Sequence, residues 1–256
     1  MKRNINLFLI VFILFFTGQE TQAQKRGRGV GVAERVNPNF SYSPPQRDSV
    51  ASTGLTIAIL NPIFLDEDIN KAGSPWSDFA KTMANDVEEL LTAKGFKVRG
   101  PFGSIDEMVY GDKQNSDFII QIVIDLDIKV DRKMKTGMNL LNLGSSNLSY
   151  RVDKGDVTIN SNVNLTAISC FTTEKLWKKN LSITQKNFTY AGTVKWDGYP
   201  SVVTEFKQDV NLWNPVCKNL EEIYKSSFDI LYRQFDKNEM ANIAREARKS
   251  DGARRN

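Results

Sequence analysis

The stretch FIIQIVIDLDIKV, residues 118–130, constrains the fold more than any other part of the sequence. Its first half, Phe118–Ile124, is apolar at almost every position, which is typical of a β-strand covered on both faces. Apolar and charged residues then alternate in the order Leu126, Asp127, Ile128, Lys129, Val130, Asp131. Such alternation indicates a strand with one buried face and one wet face. The stretch therefore predicts a core strand that leaves a two-sided core before its carboxyl end.

Strand and helix signals alternate before this strand. Short apolar strands are predicted over Leu55–Leu60 and Phe96–Val98. The helix between them has one apolar face, made by Trp76, Phe79, Met83, Val87, Leu90 and Leu91. We expect Ser74 to cap this helix and Pro75 to occupy its first position. The pattern SIDE matches a capping box and predicts a short helix within residues 104–111.

The carboxyl half predicts antiparallel strands and a long helix. Two alternating strands have inward faces made by Val157, Ile159, Val163 and Leu165, and by Trp177, Leu181 and Ile183. TTEK between them fits a hairpin connection, and residues 187–200 are interpreted as an aromatic loop. The helix that follows has an apolar face made by Leu220, Ile223, Tyr224, Ser227, Phe228, Leu231 and Phe235. This order predicts an α/β fold: a mixed β-sheet, β-α-β-α-β and then an antiparallel hairpin, with packed helices and a long carboxyl-terminal helix.

The amino terminus has the pattern of a secretory signal peptide. Lys2 and Arg3 precede a short apolar core, Leu7–Phe16, and we expect cleavage between Ala23 and Gln24. An uncleaved anchor is the alternative, although this core is shorter than a membrane-spanning helix requires. No cysteine follows the core. We therefore expect an exported chain, in the periplasm or at the cell surface, that is not lipid-anchored through an N-terminal Cys.

Composition along the chain predicts its domain organisation. Residues 1–23 are the signal peptide, and residues 24–53, rich in Gly, Pro and Ser, are expected to be a flexible linker. Residues 54–236 are expected to form a single α/β domain. Residues 237–256 are expected to form a basic helical tail that frays at its end.

The residue inventory excludes several function classes. The chain has no histidine, so every triad that relies on imidazole is excluded. The two cysteines, Cys170 and Cys217, form no zinc motif, and we expect two buried free thiols, with a disulfide as the alternative. Phosphate loops and nucleophile elbows are also missing. We therefore predict a non-catalytic protein without a cofactor, and the net charge of +4 is too small to indicate nucleic acid.

Three carboxylates at strand spacing, Asp125, Asp127 and Asp131, raise the question of a hard cation. Their oxygens suit calcium or magnesium, but the glycine and terminal glutamate of an EF-hand loop are missing. Alternating carboxylates on a strand usually face water. We therefore predict no metal site.

The ordered core resembles the neuraminyllactose-binding hemagglutinin (HpaA-like) family. The resemblance is carried by IAILNPIFLDEDINKAGSPWSDFAKTMANDVEELLTAKGFKV, by SIDEMVYGDKQNSDFIIQIVIDLDI, and by NLEEIYKSSFDILYRQFDKNEMANIAREARKSDGARRN. The same order of elements is similar to small envelope modules such as the N-terminal domain of TolB. The first resemblance implies a surface adhesin that binds sialylated glycans. The second implies a periplasmic or outer-membrane-associated assembly module that binds envelope protein partners.

Two groups of residues are candidates for a ligand site. The resemblance implies that a cationic run after the third strand holds the sugar, and the matching positions are Arg132, Lys133 and Lys135. In the predicted aromatic loop, Lys195 offers a cation, and Trp196 and Tyr199 offer rings on which a sugar can stack. The alternatives are a solvated strand end for the cations and a small satellite core for the rings. Convergence of all three cations on one anion requires the strand to end near Asp131.

Overall fold

The structure, a computed structural model, describes residues 34–45, 51–136, 151–194 and 209–252, and side chains within 34–45, 51–131, 154–191 and 209–252. Arg35–Asn256 forms one compact unit. The predicted cleavage site at Ala23 and Gln24 lies outside the described residues. Among the described helices, none is long and apolar enough to cross a membrane.

The described residues form one mixed sheet and five helices. The strands are β1 Thr56–Leu60, β2 Ile63–Phe64, β3 Lys97–Phe102, β4 Phe118–Thr136, β5 Arg151–Ile168 and β6 Lys175–Val194. The helices are α1 Glu67–Lys71, α2 Trp76–Ala93, α3 Tyr110–Gln114, α4 Val210–Gln234 and α5 Lys237–Asp251. This mixed α/β architecture with a long carboxyl-terminal helix confirms the predicted fold class.

The sheet has the strand order β3-β1-β4-β5-β6, and β2 pairs with β4 beside this path. β1 runs parallel to β3 and β4, and β2 is also parallel to β4. β4, β5 and β6 form long antiparallel ladders. Parallel neighbours need crossover connections, and α2 provides the one between β1 and β3, whereas β5 and β6 are joined as a hairpin.

The main core lies between the helices and one face of the sheet. The predicted apolar faces of α2 and α4 are buried there, together with even-numbered residues of β4 and odd-numbered residues of β5. The opposite face carries a smaller cluster made by Ala58, Leu60, Met108, Ile119, Ile168 and Cys170. Cys217 lies in the main core and Cys170 in the smaller cluster, and both are free thiols, as predicted.

Burial of both faces of β4 ends earlier along the strand than the sequence indicates. Phe118, Ile119 and Ile120 are buried, but from Gln121 onward burial alternates, and Val123 is only partly buried. The small second core covers only the β1 end of the opposite face. Two-sided burial therefore ends at Ile120 rather than at Ile124.

Two predicted helix starts are wrong. Pro75 is the N-cap of α2, Trp76 is its first residue, and no side-chain hydrogen bond caps it. Residues 104–111 do not form one helix: a 3₁₀ turn over Ile105–Glu107 is followed by α3. Glu107 Oε2 accepts from Gly103 N at 2.8 Å, so the carboxylate of the supposed capping box holds a turn instead.

The segment 35–42, here called the strap, packs on the domain and is not the flexible linker that we predicted. Phe40 is buried in the main core, with its ring 5.0 Å from that of Phe79. Trp213 Nε1 donates to Val36 O at 2.6 Å, and Tyr42 N donates to Asp86 Oδ2 at 2.8 Å. An apolar anchor and satisfied backbone groups fix this segment.

The predicted basic tail also belongs to the domain, because α5 has an apolar face that its high charge obscures. Met240, Ile243, Ala244 and Ala247 are buried in the main core. Asp251, at the end of the helix, is buried and accepts hydrogen bonds from Ser169 Oγ and Phe171 N. The helix is therefore anchored up to Asp251, where we predicted fraying.

The hairpin β5–β6 is longer than predicted, and residues 187–194 are strand rather than loop. Tyr190 is buried over Gly155, where an added Cβ would lie only 2.6 Å from the ring. Glycine at this position therefore lets the aromatic ring lie against the strand. β4 also continues past Asp131 to Thr136, in register with β5, so it does not have the end near Asp131 that convergence of the three cations requires.

Candidate functional site

A cleft lies where the helix layer meets the edge of β4. Its volume is about 370 Å³. It is lined by Leu65, Asp66, Ile69, Trp76, Asp125, Leu126, Asp127, Ile128, Val130 and Leu212, and these residues define the β4 cleft. Ile69, Trp76, Leu126 and Leu212 are buried, whereas Leu65 is 61% exposed. The β4 cleft therefore combines a buried apolar floor with an open rim.

Local hydrogen bonds place the walls of the cleft. Asn70 holds the turn between β2 and α1, since its side chain accepts from Phe64 N at 2.9 Å and donates to Phe64 O at 2.7 Å. Asp66 caps α1 by accepting from Asp68 N at 2.8 Å. Asp209 caps α4 in the same way, which puts Leu212 in the first turn of that helix. Short polar side chains at helix starts thus fix both walls.

The floor of the cleft runs along an open strand edge. Leu65 N donates to Ile124 O at 2.8 Å, so Ile124 presents its backbone groups to β2. In a ladder with unbroken register, alternate residues point the same way, and Leu126, Ile128 and Val130 therefore present N–H and C=O groups to this edge. Beyond Leu65, no strand among the described residues pairs with that edge. The odd-numbered residues of β4 bond to β5.

Carboxylates dominate the charge of the cleft. Asp66, Asp125 and Asp127 line it, and Lys129 Nζ lies 3.1 Å from Asp127 Oδ2. Asn160 Nδ2 is 3.4 Å from the same oxygen. Among the described side chains of this edge, one lysine stands against three carboxylates, so that part of the edge is acidic. Such a site favours a cationic partner over an anionic one.

The structure assigns no metal to these carboxylates. Within the described ranges, no three His, Cys, Asp or Glu residues are grouped so that they could hold an ion. Asp125, Asp127 and Asp131 are odd-numbered residues of one extended strand, opposite Asn162, Asn160 and Asp156 of β5. Successive carboxylates on one face are spaced along the strand rather than gathered around one point.

The predicted sugar-binding residues lie at the limits of the described chain. The backbone of Arg132, Lys133 and Lys135 belongs to β4, in register with Gly155, Lys154 and Val152, but their side chains are outside the described set. Lys195, Trp196 and Tyr199 lie entirely outside the described residues. Because β4 continues past these cations, the condition that we set for their convergence is not met.

Sequence reasoning missed the β4 cleft. Trp76 and Leu126 were predicted as core residues, and Leu65, Asp66 and Leu212 were not singled out. The cleft draws its walls from four separate segments, and no periodicity signals such a meeting. The only local signal was FLDED, residues 64–68, in which exposed Leu65 stands beside three consecutive carboxylates.

The other buried polar groups join elements of the fold. Asp86 Oδ2 accepts from Tyr224 Oη at 2.6 Å as well as from the strap. Burial and this carboxylate raise the pKa of the Tyr224 hydroxyl far above its ordinary value. Glu239 accepts from Trp177 Nε1 at 3.0 Å and from Lys179 Nζ at 2.8 Å, and so ties α5 to β6. These contacts lie away from the β4 cleft.

Comparison with known proteins identifies the fold. No protein-family model and no curated protein matches the sequence. A solved structure from Helicobacter pylori, described as a neuraminyllactose-binding hemagglutinin homolog, is similar with a TM-score of 0.55 and 14% identity, over 84% of this chain and 100% of that one. The predicted resemblance is thus confirmed at the level of the fold.

Two further structures align over most of the chain, with lower scores. A protein of the DUF330 family from Xanthomonas campestris has a TM-score of 0.27 and 11% identity, covering 80% of this chain and 99% of that one. A lipoprotein from Neisseria meningitidis has a TM-score of 0.24 and 10% identity, covering 64% and 99%. At such scores the two structures add nothing to the assignment of the fold.

Proposed function

We propose that this chain is an exported, non-catalytic protein of the cell envelope that binds a segment of a protein partner in the β4 cleft. The observation that supports the proposal is the cleft itself. The cleft combines a buried apolar floor, carboxylates, and backbone groups with which no described strand pairs. Together these offer hydrophobic, hydrogen-bonding and ionic contacts. A protein segment supplies all three kinds of contact. This proposal corresponds to the assembly-module interpretation of the sequence.

The experiment is photo-crosslinking from the rim of the cleft in cells that make the protein. A photoreactive amino acid replaces Leu65, and the matched control places it at Val109, which is 65% exposed and precedes α3. We expect a discrete protein adduct from position 65 and none from position 109. Equal labelling from both positions, or none from either, would overturn the proposal.

The proposed export is tested separately. Sequencing of the mature protein is expected to begin at Gln24, and protease added to whole cells distinguishes a periplasmic location from the cell surface. A mature chain that begins at Met1 would contradict the signal peptide.

A sialylated glycan is the second candidate ligand, and the likeness to the hemagglutinin homolog favours it. The site would be formed by Lys133 and Lys135, which are alternate residues of β4, or by Lys195, Trp196 and Tyr199. Calorimetric titration with sialyllactose, with lactose as the control, tests it. A sialic-acid site predicts that the double variant Lys133→Ala/Lys135→Ala binds at least about tenfold more weakly at an unchanged Tm. Failure of the unchanged protein to bind sialyllactose would remove this candidate.

A further inference from the structure

We propose that the β4 cleft binds its partner by strand addition: an extended segment pairs with the open edge of β4, with apolar side chains toward the helices and Lys or Arg side chains toward the opposite face. The inference rests on the proposed function, since it specifies the partner segment of that same cleft.

The backbone of β4 is already shaped for pairing. Leu126, Ile128 and Val130 present their N–H and C=O groups to the edge that β2 leaves after Leu65. An added strand would continue the line of β2, in which Ile63 lies opposite Val123 of β4 and Phe64 lies opposite Ile124. Leu126 to Val130 span about 14 Å, the length of a five-residue strand. Backbone hydrogen bonds along such an edge bind a peptide independently of its sequence.

The helix side of the added strand would meet an apolar surface. Trp76, Leu212 and Ile69 are at most 5% exposed and form the wall opposite β4. Leu126 is also buried, and Ile128 and Val130 are partly buried against the same core. Every second residue of an added strand points toward this wall. Those residues are therefore apolar in the segment that fits.

The other side of the added strand would meet carboxylates. Asp125 and Asp127 are odd-numbered residues of β4, on the sheet face opposite that of Leu126. Lys129 neutralises Asp127 in part, at 3.1 Å, and both side chains are largely exposed, so water screens the pair. Opposite charges in neighbouring strands stabilise pairing, whereas like charges oppose it. The alternate residues of the segment are therefore Lys or Arg.

The probe is the synthetic peptide Ac-VKVKVKV-NH2, labelled for fluorescence anisotropy. One control, Ac-VEVEVEV-NH2, keeps the alternation and reverses the charge. A second control, N-methylated at alternate residues, keeps every side chain and removes the backbone donors on one edge. We expect saturable binding of the first peptide and at least about tenfold weaker binding of each control. Equal binding of all three would overturn strand addition.

Variants of β4 test the same edge from the protein side. Ile128→Pro removes an edge N–H without removing a bond to β5, and Ile128→Ala keeps the N–H while shortening the side chain. We expect the proline variant to lose at least about tenfold more affinity than the alanine variant. Asp125→Asn/Asp127→Asn is expected to weaken binding of the lysine peptide and to strengthen binding of the glutamate peptide. A Tm within a few degrees of the unchanged protein shows that each variant is folded.

Amide hydrogen exchange gives a direct readout, independent of the variants. The peptide should slow exchange at Ile128 and Val130, while the odd-numbered amides bonded to β5 should show little change.

Protection of Ile128 and Val130 without peptide, together with a dimer in sedimentation, would identify a second copy as the occupant and overturn the inference. An adduct at position 65 without peptide binding would refute strand addition and leave the proposed function standing. If there is neither an adduct at position 65 nor binding of the peptide, both the proposed function and strand addition are refuted.

Discussion

Phe40 is expected to anchor the strap, and Phe40→Ala tests that expectation. Its side chain is 7% exposed, and its ring centroid lies 5.0 Å from that of Phe79 and 5.4 Å from that of Tyr224. Truncating a buried phenylalanine to alanine costs about 3–5 kcal/mol. The strap can detach rather than enclose an empty cavity, so we expect a loss at the lower end, about 3 kcal/mol. The matched control, Val36→Ala, alters a strap residue that is 52% exposed and should cost less than about 0.5 kcal/mol.

Denaturant unfolding measures the loss, and hydrogen exchange locates it. Asn39 N donates to Glu221 Oε1 at 2.6 Å, and Tyr42 N donates to Asp86 Oδ2 at 2.8 Å. In Phe40→Ala these two amides should exchange much faster, because the strap that holds them opens locally. A loss below about 1 kcal/mol, with unchanged exchange at Asn39 and Tyr42, would refute the anchoring role of Phe40.

Three further predictions concern single side chains. Tyr224→Phe leaves Asp86 without the hydroxyl donor and should cost about 1–3 kcal/mol in denaturant unfolding; an unchanged midpoint would refute this. Backbone hydrogen bonds from Glu239 and Asn238 lower the pKa of Asp236, so its contribution is present above pH 3.8 and is lost as the pH falls through the lower folded pKa; Asp236→Ala should flatten the curve of Tm against pH in that range. Burial raises the pKa of Cys217 to about 12, so iodoacetamide at pH 8 should leave it unmodified until the chain is unfolded, and rapid alkylation of the native protein would contradict the structure.

The fold class and the faces that form the core could be predicted from the periodicity of the sequence. Periods of two and of 3.6 residues identified the alternating strands and the apolar sides of α2 and α4, because burial of those faces dictates the period. The absence of histidine from the sequence likewise excluded every catalytic triad that relies on imidazole. The sequence did not reveal the strap or the buried face of α5. The strap has one buried anchor, Phe40, and no period, and the apolar face of α5 contains alanines among many charges.

The position of the candidate site follows from how separate segments pack together, which the sequence pattern did not indicate. Leu65 and Asp66 come from the turn after β2, Trp76 from the start of α2, and Leu212 from the start of α4. These positions lie in separate segments of the chain. β2 stops after two residues, and among the described residues no strand pairs with the edge of β4 beyond Leu65. Whether the edge of a strand is paired depends on the neighbouring elements, so the residues of the strand itself do not indicate it. For that reason the alternation in FIIQIVIDLDIKV predicted which faces of β4 are wet, while the neighbouring elements determined which of its backbone groups remain available.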